Sequence, residues 1–478
     1  MGAIDPVDDH ALQRLQSACA PVLDAAGLLS GQAIEPRYCR DWSGGEGRPL
    51  AVLRPRSPEE VARVMALLNG LGQPVVVQGG MTGLVGSCVP QHGEVVLSME
   101  RLRTIEEFDT EAGTVRVQAG VALQTLQQHV QAQGWLFPVD IGSRGSCQIG
   151  GLIATNAGGN RVLRYGMTRQ SVLGLEVVLS DGSVVSRLGK ALKDNAGYDL
   201  KHAFIGSEGT LGIITRAQLA LQPLPCTQQT ALVSVDSFAQ VLSLLALCRQ
   251  HLGAALSSFE VMWRDYYDTV TVELGKGRAS FAQPGSLLVL VESQGHHAHT
   301  DAEVFEQALA QFMAQVPNAQ VVVAQSMADA QQLWALRDAS GEAAQAIAPY
   351  AGFDVSLPTS RMDDWTQQMH AQLAAQGLRQ VQTYGHVGDG NLHLCVGGLH
   401  APGAKALVDE LVHSTIGQLG GSISGEHGIG LLKKKHLAYC RSPAELALMR
   451  TLKRSLDPQQ LLNRGRIFDL SPLPSLMP

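Results

Sequence analysis

Gly145-Ser146-Cys147-Gln148-Ile149-Gly150-Gly151-Leu152-Ile153-Ala154-Thr155-Asn156-Ala157-Gly158-Gly159 mixes glycines with hydroxyl and amide side chains in one short run. Small residues at this density let the backbone approach a large flat ligand closely. A plain glycine-rich hairpin would not call for Ser, Thr and Asn among the glycines. Two other stretches share the pattern. Gln78-Gly79-Gly80-Met81-Thr82-Gly83-Leu84-Val85-Gly86 follows the apolar run Pro74 to Val77, and Gly206-Ser207-Glu208-Gly209-Thr210-Leu211-Gly212 leads into Ile213 and Ile214. Consecutive glycines can turn backbone N–H groups toward an anion such as a pyrophosphate. The first loop fails the spacing of the dinucleotide fingerprint, and no Gly-Lys-Ser/Thr closes it as a P-loop.

Around these loops the chain reads as α+β. Ser57-Pro58-Glu59-Glu60 starts a helix with a capping box, and Val61, Val64, Met65 and Leu68 form its buried stripe. Thr114 to Gln118 alternates as a strand, and Val121 to Gln133 reads as a helix stopped by Gly134. Leu175 to Val185 is a hairpin turning at Asp181-Gly182. Gly209 to Leu221 is a further strand. Past Pro223-Leu224-Pro225 the rhythm changes: apolar runs at Ala231 to Val235, Leu287 to Val291 and Val321 to Ala324 alternate with helices. Thr300 to Glu303 and Ser442 to Glu445 read as two more capping boxes. The chain therefore divides near residue 224 into a glycine-loop α+β half and an antiparallel sheet covered by helices.

The second half carries the chemistry. His386 and His393 stand seven residues apart in His386-Val387-Gly388-Asp389-Gly390-Asn391-Leu392-His393, and Ser424-Gly425-Glu426-His427-Gly428 follows. Two imidazoles and a carboxylate are a ligand set that leaves a divalent metal one open position. His427 adds a base that titrates near neutral pH. The glycines around them place these groups at strand ends and turns. Such a site makes the chain an enzyme, with a metal-dependent hydrolase whose bound nucleotide cofactor is only structural and a non-catalytic nucleotide-binding module as the other readings.

Bulk properties exclude several classes. The 478 residues carry 43 acidic and 36 basic side chains, a net charge of −7, which gives no footprint for nucleic acid. Eight scattered cysteines without a Cys-x-x-Cys argue against a disulfide framework or an iron–sulfur ligand run. The acidic start Met1 to His10 lacks the features of a signal or transit segment, and no apolar run approaches the roughly 20 residues of a membrane helix. The expectation is a cytoplasmic protein with no transmembrane segment, any membrane contact being peripheral.

Arg164-Tyr165-Gly166, Leu175 to Gly182 and Lys193-Asp194-Asn195-Ala196-Gly197-Tyr198-Asp199-Leu200, taken with the glycine loops, resemble the vanillyl-alcohol oxidase and p-cresol methylhydroxylase superfamily. The branch resembled contains D-2-hydroxyglutarate and D-lactate dehydrogenases, and the likeness runs over about residues 40 to 468. It implies a two-subdomain FAD-binding domain (46–224) after an N-terminal helical segment (1–45), a C-terminal substrate and metal domain (225–470), and a tail (471–478). Gly79, Gly80, Thr82 and Gly83 would hold the pyrophosphate. Ser146, Gly150, Gly151, Thr155, Asn156, Gly158 and Ile213 would line the FAD, with Asn463 reaching the flavin from the other half. The glycine loop lacks the His to which covalently flavinylated relatives attach the cofactor, so the FAD would be non-covalent. His386, His393 and Glu426 would bind a divalent metal, zinc first among them; His427 would be the base and Arg337 would bind substrate.

The implied reaction is oxidation of a D-2-hydroxy acid by FAD, with electrons leaving to a separate acceptor: electron-transfer flavoprotein, a quinone or a cytochrome. A UDP-sugar reductase shares the flavin fold but needs no such metal site. Relatives are often homodimers, which leaves oligomeric state open. Where the D-2-hydroxyglutarate enzymes carry a Thr, a Lys and an Asn, this chain has Gly341, Gly352 and Cys395. The expected preference therefore moves toward D-lactate or longer monocarboxylic acids, with D-2-hydroxyglutarate as the alternative.

Overall fold

The computed structural model describes residues 9–277 and 280–470. The expected tail and the first eight residues lie outside these. Three sheets organise the chain. The first is small and mostly parallel: Val75–Gln78, Val95–Ser98 and Val52–Leu53 lie side by side, with Leu28–Leu29 antiparallel at one edge. Its strands are nearly all apolar because helices and loops bury both faces. Helix Pro58–Leu71 packs its Val61, Val64, Met65 and Leu68 stripe there. Ser57 caps this helix, but Glu60 bonds the backbone N–H and side chain of Arg56 instead of closing the expected box. Of the N-terminal segment, helix Asp9–Cys19 contributes Leu15 and Cys19 to the same core.

The second sheet is antiparallel, in the order Ile105–Asp109, Thr114–Gln118, Ile213–Ala220, Val172–Val178, Val184–Arg187. The hairpin at Asp181-Gly182 joins its last two strands. The expected helix near 121–133 runs Leu123–Gln131.

The third sheet has seven antiparallel strands: Gln320–Val323, Thr227–Val235, Leu287–Gly295, Leu256–Trp263, Val381–Gly385, Asn391–Val396 and Ala351–Ser356. Side chains alternate across it with the strand period of two. Phe259, Val261, Leu392, Leu394, Phe353 and Val355 face the four helices Phe238–Leu252, Ala298–Gln315, Met362–Ala375 and Ala404–Gln418. Met262, Leu288, Leu290, Tyr384 and Cys395 face the other way, under Leu333 and Leu336 of helix Met327–Asp338. The capping box at Ser442–Glu445 forms. The one read at Thr300 does not: the helix begins a turn earlier, and Asp301 accepts the His297 N–H.

The C-terminal segment also reaches back to the first half. The chain after Pro443 does not stay with the third sheet. Leu462 bridges Val75 and joins the first sheet's core, Ser180 Oγ donates to Leu456 O at 2.9 Å, and Arg466 is buried against Glu94. The last apolar residues fill the open edge beside Val75, where no other strand is available.

Beneath helix Ala404–Gln418, His413 stacks on His436 with ring centroids 4.3 Å apart. Burial, with His436 and Lys433 nearby, lowers His413 to about 4. Unfolded, the same imidazole titrates near the ordinary histidine value of about 6.5. The folded state thus binds fewer protons, and stability present above pH 6.5 is lost as pH falls toward 4. We expect urea unfolding to show about 2 kcal/mol less stability from this group at pH 5.0 than at 7.5. His413→Phe should flatten that slope; an unchanged slope would refute the assignment.

Candidate functional site

The site forms where the third sheet's inner face meets the first half. His393 lies inside strand Asn391–Val396, not at a strand end as expected, and its register partners are Asp354 and Tyr384. His386 directly follows strand Val381–Gly385, and Glu426 and His427 lie in the loop between helices. Three chain segments thus bring His386, His393 and Glu426 together, with one ligand atom from each inside a 4.8 Å group. His386 Nε2 and His393 Nε2 stand 3.9 and 3.8 Å from Glu426 Oε1. Burial, with the Arg337 guanidinium nearby, holds His393 well below its usual range, so its ring is neutral with a free lone pair.

Two buried carboxylates that were not among the sequence candidates hold the loop. Asp354 Oδ2 accepts the backbone N–H groups of Gly425, Glu426 and His427 at 3.0, 2.9 and 2.9 Å. Its Oδ1 accepts Asn391 Nδ2 at 2.7 Å. Burial alone would raise this carboxyl; the neighbouring His427 and Lys433 hold it well below the carboxylate range. A side chain at Gly425 would strike Asn391 Nδ2 at 2.0 Å, which is why only glycine fits between Ser424 and Glu426. From the first half, Glu208 accepts Ile429 N and Gly430 N at 2.7 and 2.9 Å. Gly159 N also donates to Glu426 Oε2 at 3.0 Å.

Arg337 is buried on helix Met327–Asp338 beside the trio. Its Nε donates to Glu260 Oε2 at 2.8 Å, Nη2 lies 3.3 Å from His386 Nε2, and the guanidinium sits 4.7 Å from the Tyr384 ring centroid. His427 is the most open of the group, its side chain 28% exposed, with Nδ1 3.8 Å from Asp354 Oδ2. A 540 Å³ cleft lies along helix Met327–Asp338, lined by Asn160 and Arg161 on one side and by Trp334, Asp338 and Ala339 on the other; His386, His393, Glu426, His427 and Arg337 do not line it. The Arg164-Tyr165 motif closes the same seam, with Tyr165 Oη donating to Gln294 Oε1 at 3.0 Å and Arg164 to Gln294 O.

The glycine loops also meet. A Cβ on Gly80 would lie 2.0 Å from Ser146 O, and one on Gly150 would lie 2.7 Å from Ala119 Cβ, so both glycines permit close chain packing. Met81 takes φ 56°, and Gly151 faces open space. Two buried acceptors without partners, Gln148 Oε1 and Asp41 Oδ2, border Gly79 and Gly83. Thr82 belongs to the same loop, outside any strand or helix. Thr155 Oγ1 donates to Gly151 O, and Asn156 caps its helix in the left-handed region while its Oδ1 accepts Arg169 N. Gly158 lies against Glu426 instead of an open surface. Ile213, 1% exposed, is spent on the first core. Asn463 accepts Val77 N at 2.9 Å and donates to Glu208 O at 2.6 Å, which ties the last residues to the first half.

Two family models match the chain: an FAD-binding domain over residues 49–187 and the C-terminal domain of FAD-linked oxidases over residues 224–467. The mitochondrial D-2-hydroxyglutarate dehydrogenase of Bos taurus is 40% identical over 454 residues, covering 94% of this chain and 82% of the relative. The D-2-hydroxyglutarate dehydrogenase of Xanthomonas citri is 39% identical over 469 residues, covering 95% and 97%. The chain belongs to the FAD-linked oxidase family. It is an FAD-dependent oxidoreductase. The crystal structure of p-cresol methylhydroxylase with substrate bound superimposes with a TM-score of 0.75 at 18% identity, covering 98% of both chains, and so shares the fold. The expected cytoplasmic location is overturned: the plant and animal relatives are mitochondrial enzymes by name. Among the described residues no helix is long and apolar enough to cross a membrane.

Removing the Asp354 carboxylate would leave three loop N–H groups without their buried acceptor and Lys433 without the counter-charge 3.8 Å from its Nζ. Asp354→Ala should cost about 3–5 kcal/mol, the usual size for breaking a buried ionic network. Urea denaturation checks this, and a loss under about 1 kcal/mol would contradict the clamp.

Proposed function

We propose that this family member oxidises a D-2-hydroxy acid to the 2-oxo acid, using non-covalent FAD and a divalent metal ion. The observation that carries the reading is the convergence of His386, His393 and Glu426 beside His427 and Arg337, at the seam with the FAD-binding half. The donor set suits zinc: two imidazole nitrogens and one carboxylate, with a position left for substrate. Gly79 to Gly83 and Ser146 to Gly158 form the cradle for FAD, in which the unpartnered Gln148 and Asp41 acceptors suit the hydroxyls of such a ligand. Ile213 and Asn463 brace that cradle from behind.

FAD held by the glycine loops would supply an acceptor for the hydride of the carbinol carbon, and a divalent metal held by His386, His393 and Glu426 would supply acidification of the substrate hydroxyl. Arg337 has its Nε committed to Glu260, which leaves Nη1 to meet a carboxylate oxygen and orient the acid. His427 takes the hydroxyl proton at Nε2, and Asp354, 3.8 Å from Nδ1, favours the imidazolium that results. A separate acceptor, such as electron-transfer flavoprotein, a quinone or a cytochrome, would take up the electrons.

Gly341 and Gly352 support a preference for monocarboxylic acids. A Cβ at Gly341 would meet nothing within 4 Å, and one at Gly352 would meet only Tyr350 and Cys395 at 3.7 and 3.9 Å. Neither glycine has positive φ, and Gly341 lies inside a helix, where glycine costs about 1 kcal/mol relative to Ala. Packing therefore does not demand these glycines. The polar groups absent here are ones that would hold a second, distal carboxylate. D-2-hydroxyglutarate is the second reading, favoured by the activity named for the bovine and Xanthomonas relatives.

Anaerobic mixing with D-lactate or D-2-hydroxybutyrate should bleach the flavin, with kcat/KM above that for D-2-hydroxyglutarate and no reaction with L-enantiomers. A tenfold lead for D-2-hydroxyglutarate (about 1.4 kcal/mol) would overturn the substrate preference and leave the dehydrogenase standing. Chelation should abolish turnover while the flavin spectrum is kept, and zinc, manganese or cobalt should restore it. His427→Ala should retain metal and FAD yet slow flavin reduction by about 10²–10⁴-fold. Near-normal reduction in that variant would remove His427 from proton transfer.

A further inference from the structure

Glu260 lies on strand Leu256–Trp263, and its side chain is 1% exposed. The pairing of Val261 with Gly385 brings it beside His386. Its two oxygens face different partners: Oε1 meets His386 Nδ1 at 2.6 Å, and Oε2 accepts Arg337 Nε at 2.8 Å. We propose that Glu260 is a positioning residue that couples the metal site to the substrate arginine through this one carboxylate. The inference rests on the reading of His386 as a metal ligand and Arg337 as a substrate contact.

The argument is one of donors and acceptors. An ionised carboxylate can only accept, so Glu260 demands an N–H at both His386 Nδ1 and Arg337 Nε. A proton fixed on Nδ1 leaves Nε2, the atom 3.9 Å from Glu426 Oε1, as the ligating nitrogen. The same negative charge offsets the buried Arg337 cation, which would otherwise stand uncompensated 3.3 Å from that nitrogen. The charge that orients the ligand is therefore also the one that makes a cation tolerable beside a metal ion. His393 faces Tyr384 and Asp354 across the register, but the Asp354 oxygens are taken by Asn391 and by the backbone N–H groups of Gly425, Glu426 and His427. Glu260 thus acts on one of the two imidazoles.

A glutamine at this position keeps the shape and reverses the instruction. Arg337 only donates, so the amide oxygen must turn to it, and the amide N–H₂ then faces His386 Nδ1. Nδ1 must give up its hydrogen to accept, which moves the proton to Nε2, where a metal would bind. An aspartate keeps the charge but is one methylene shorter, so it can hold one of the two partners and not both.

The test is a zinc titration of the FAD-loaded protein by chelator competition, with the flavin absorbance spectrum and thermal midpoint recorded on the same samples. Glu260→Gln should bind zinc 10–100-fold more weakly, the range for loss of a partner that orients a metal ligand, with FAD content and spectrum unchanged. At saturating zinc its KM for the hydroxy acid should stay raised at least threefold. Glu260→Asp should lose at least fivefold in zinc affinity or in KM, and it decides the question alone if the Gln variant does not fold. Zinc affinity and KM within twofold of the parent in the folded variants would overturn the coupling. A parent protein that binds no divalent ion would overturn the metal reading together with this one, whereas a zinc-binding parent with indifferent variants would overturn only this one.

Discussion

The loop from Ser424 to Gly430 depends on two buried carboxylates acting from opposite sides. Asp354 gathers three consecutive backbone N–H groups from the third sheet, and Glu208 gathers two more from the first half. A loop rich in glycine has no intrinsic reason to hold one conformation, since glycine loses more backbone freedom on ordering than any other residue. Charge-assisted hydrogen bonds, roughly twice as strong as neutral ones, supply that reason here. Because one carboxylate belongs to each half, the loop can be ordered only when the halves are docked. The positions of Glu426 and His427 are thus a property of the assembled molecule and not of either half.

Much of this was legible in the residues, for reasons that differ by element. The helix at Pro58–Leu71 carries its cap, its proline and its apolar stripe in contiguous sequence, so local rules suffice. The hairpin at Asp181-Gly182 is equally local. The His386 and His393 pair could be read because a short turn links the two strands that carry them. Asp354, Glu208 and Glu260 were not among the candidates because their work is done through partners 37 to 222 residues away. A faint signal existed: Glu260 stands in Leu256-Ser257-Ser258-Phe259-Glu260-Val261-Met262-Trp263, a strand fully buried but for its last residue, where an unpaired acid would be costly. The misplaced box at Thr300 shows the opposite weakness, since Asp301 competes for the same terminus and a local motif cannot say which side chain wins. Gly158 shows another: a glycine in the loop also makes room for Glu426 from the other half, which its own sequence does not announce.

Ion pairs repeat this cross-half logic away from the centre. Arg161 bridges Asp140 in its own half and Glu292 in the third sheet, at 2.8 and 3.0 Å, and Glu292 also accepts Trp334 Nε1 and Gln228 Nε2. A buried acid with this many donors specifies a docking geometry more than it adds stability, because desolvation offsets much of the attraction. The cleft wall between Arg161 and Trp334 is therefore fixed by the same contacts that join the halves.

The return of residues 453–467 to the first half also bears on how the chain is made. Val75 and Val77 take hydrogen-bond partners from Leu461 and Asn463, and Thr210 from Lys453. During synthesis the first half emerges early, yet its sheet edge stays open until almost the whole polypeptide has left the ribosome. Contacts of such sequence separation are slow to form and leave apolar edges exposed meanwhile. A nascent chain of this kind has a long interval in which it depends on being kept from aggregation. An expressed fragment ending near residue 224 would remain permanently in that condition.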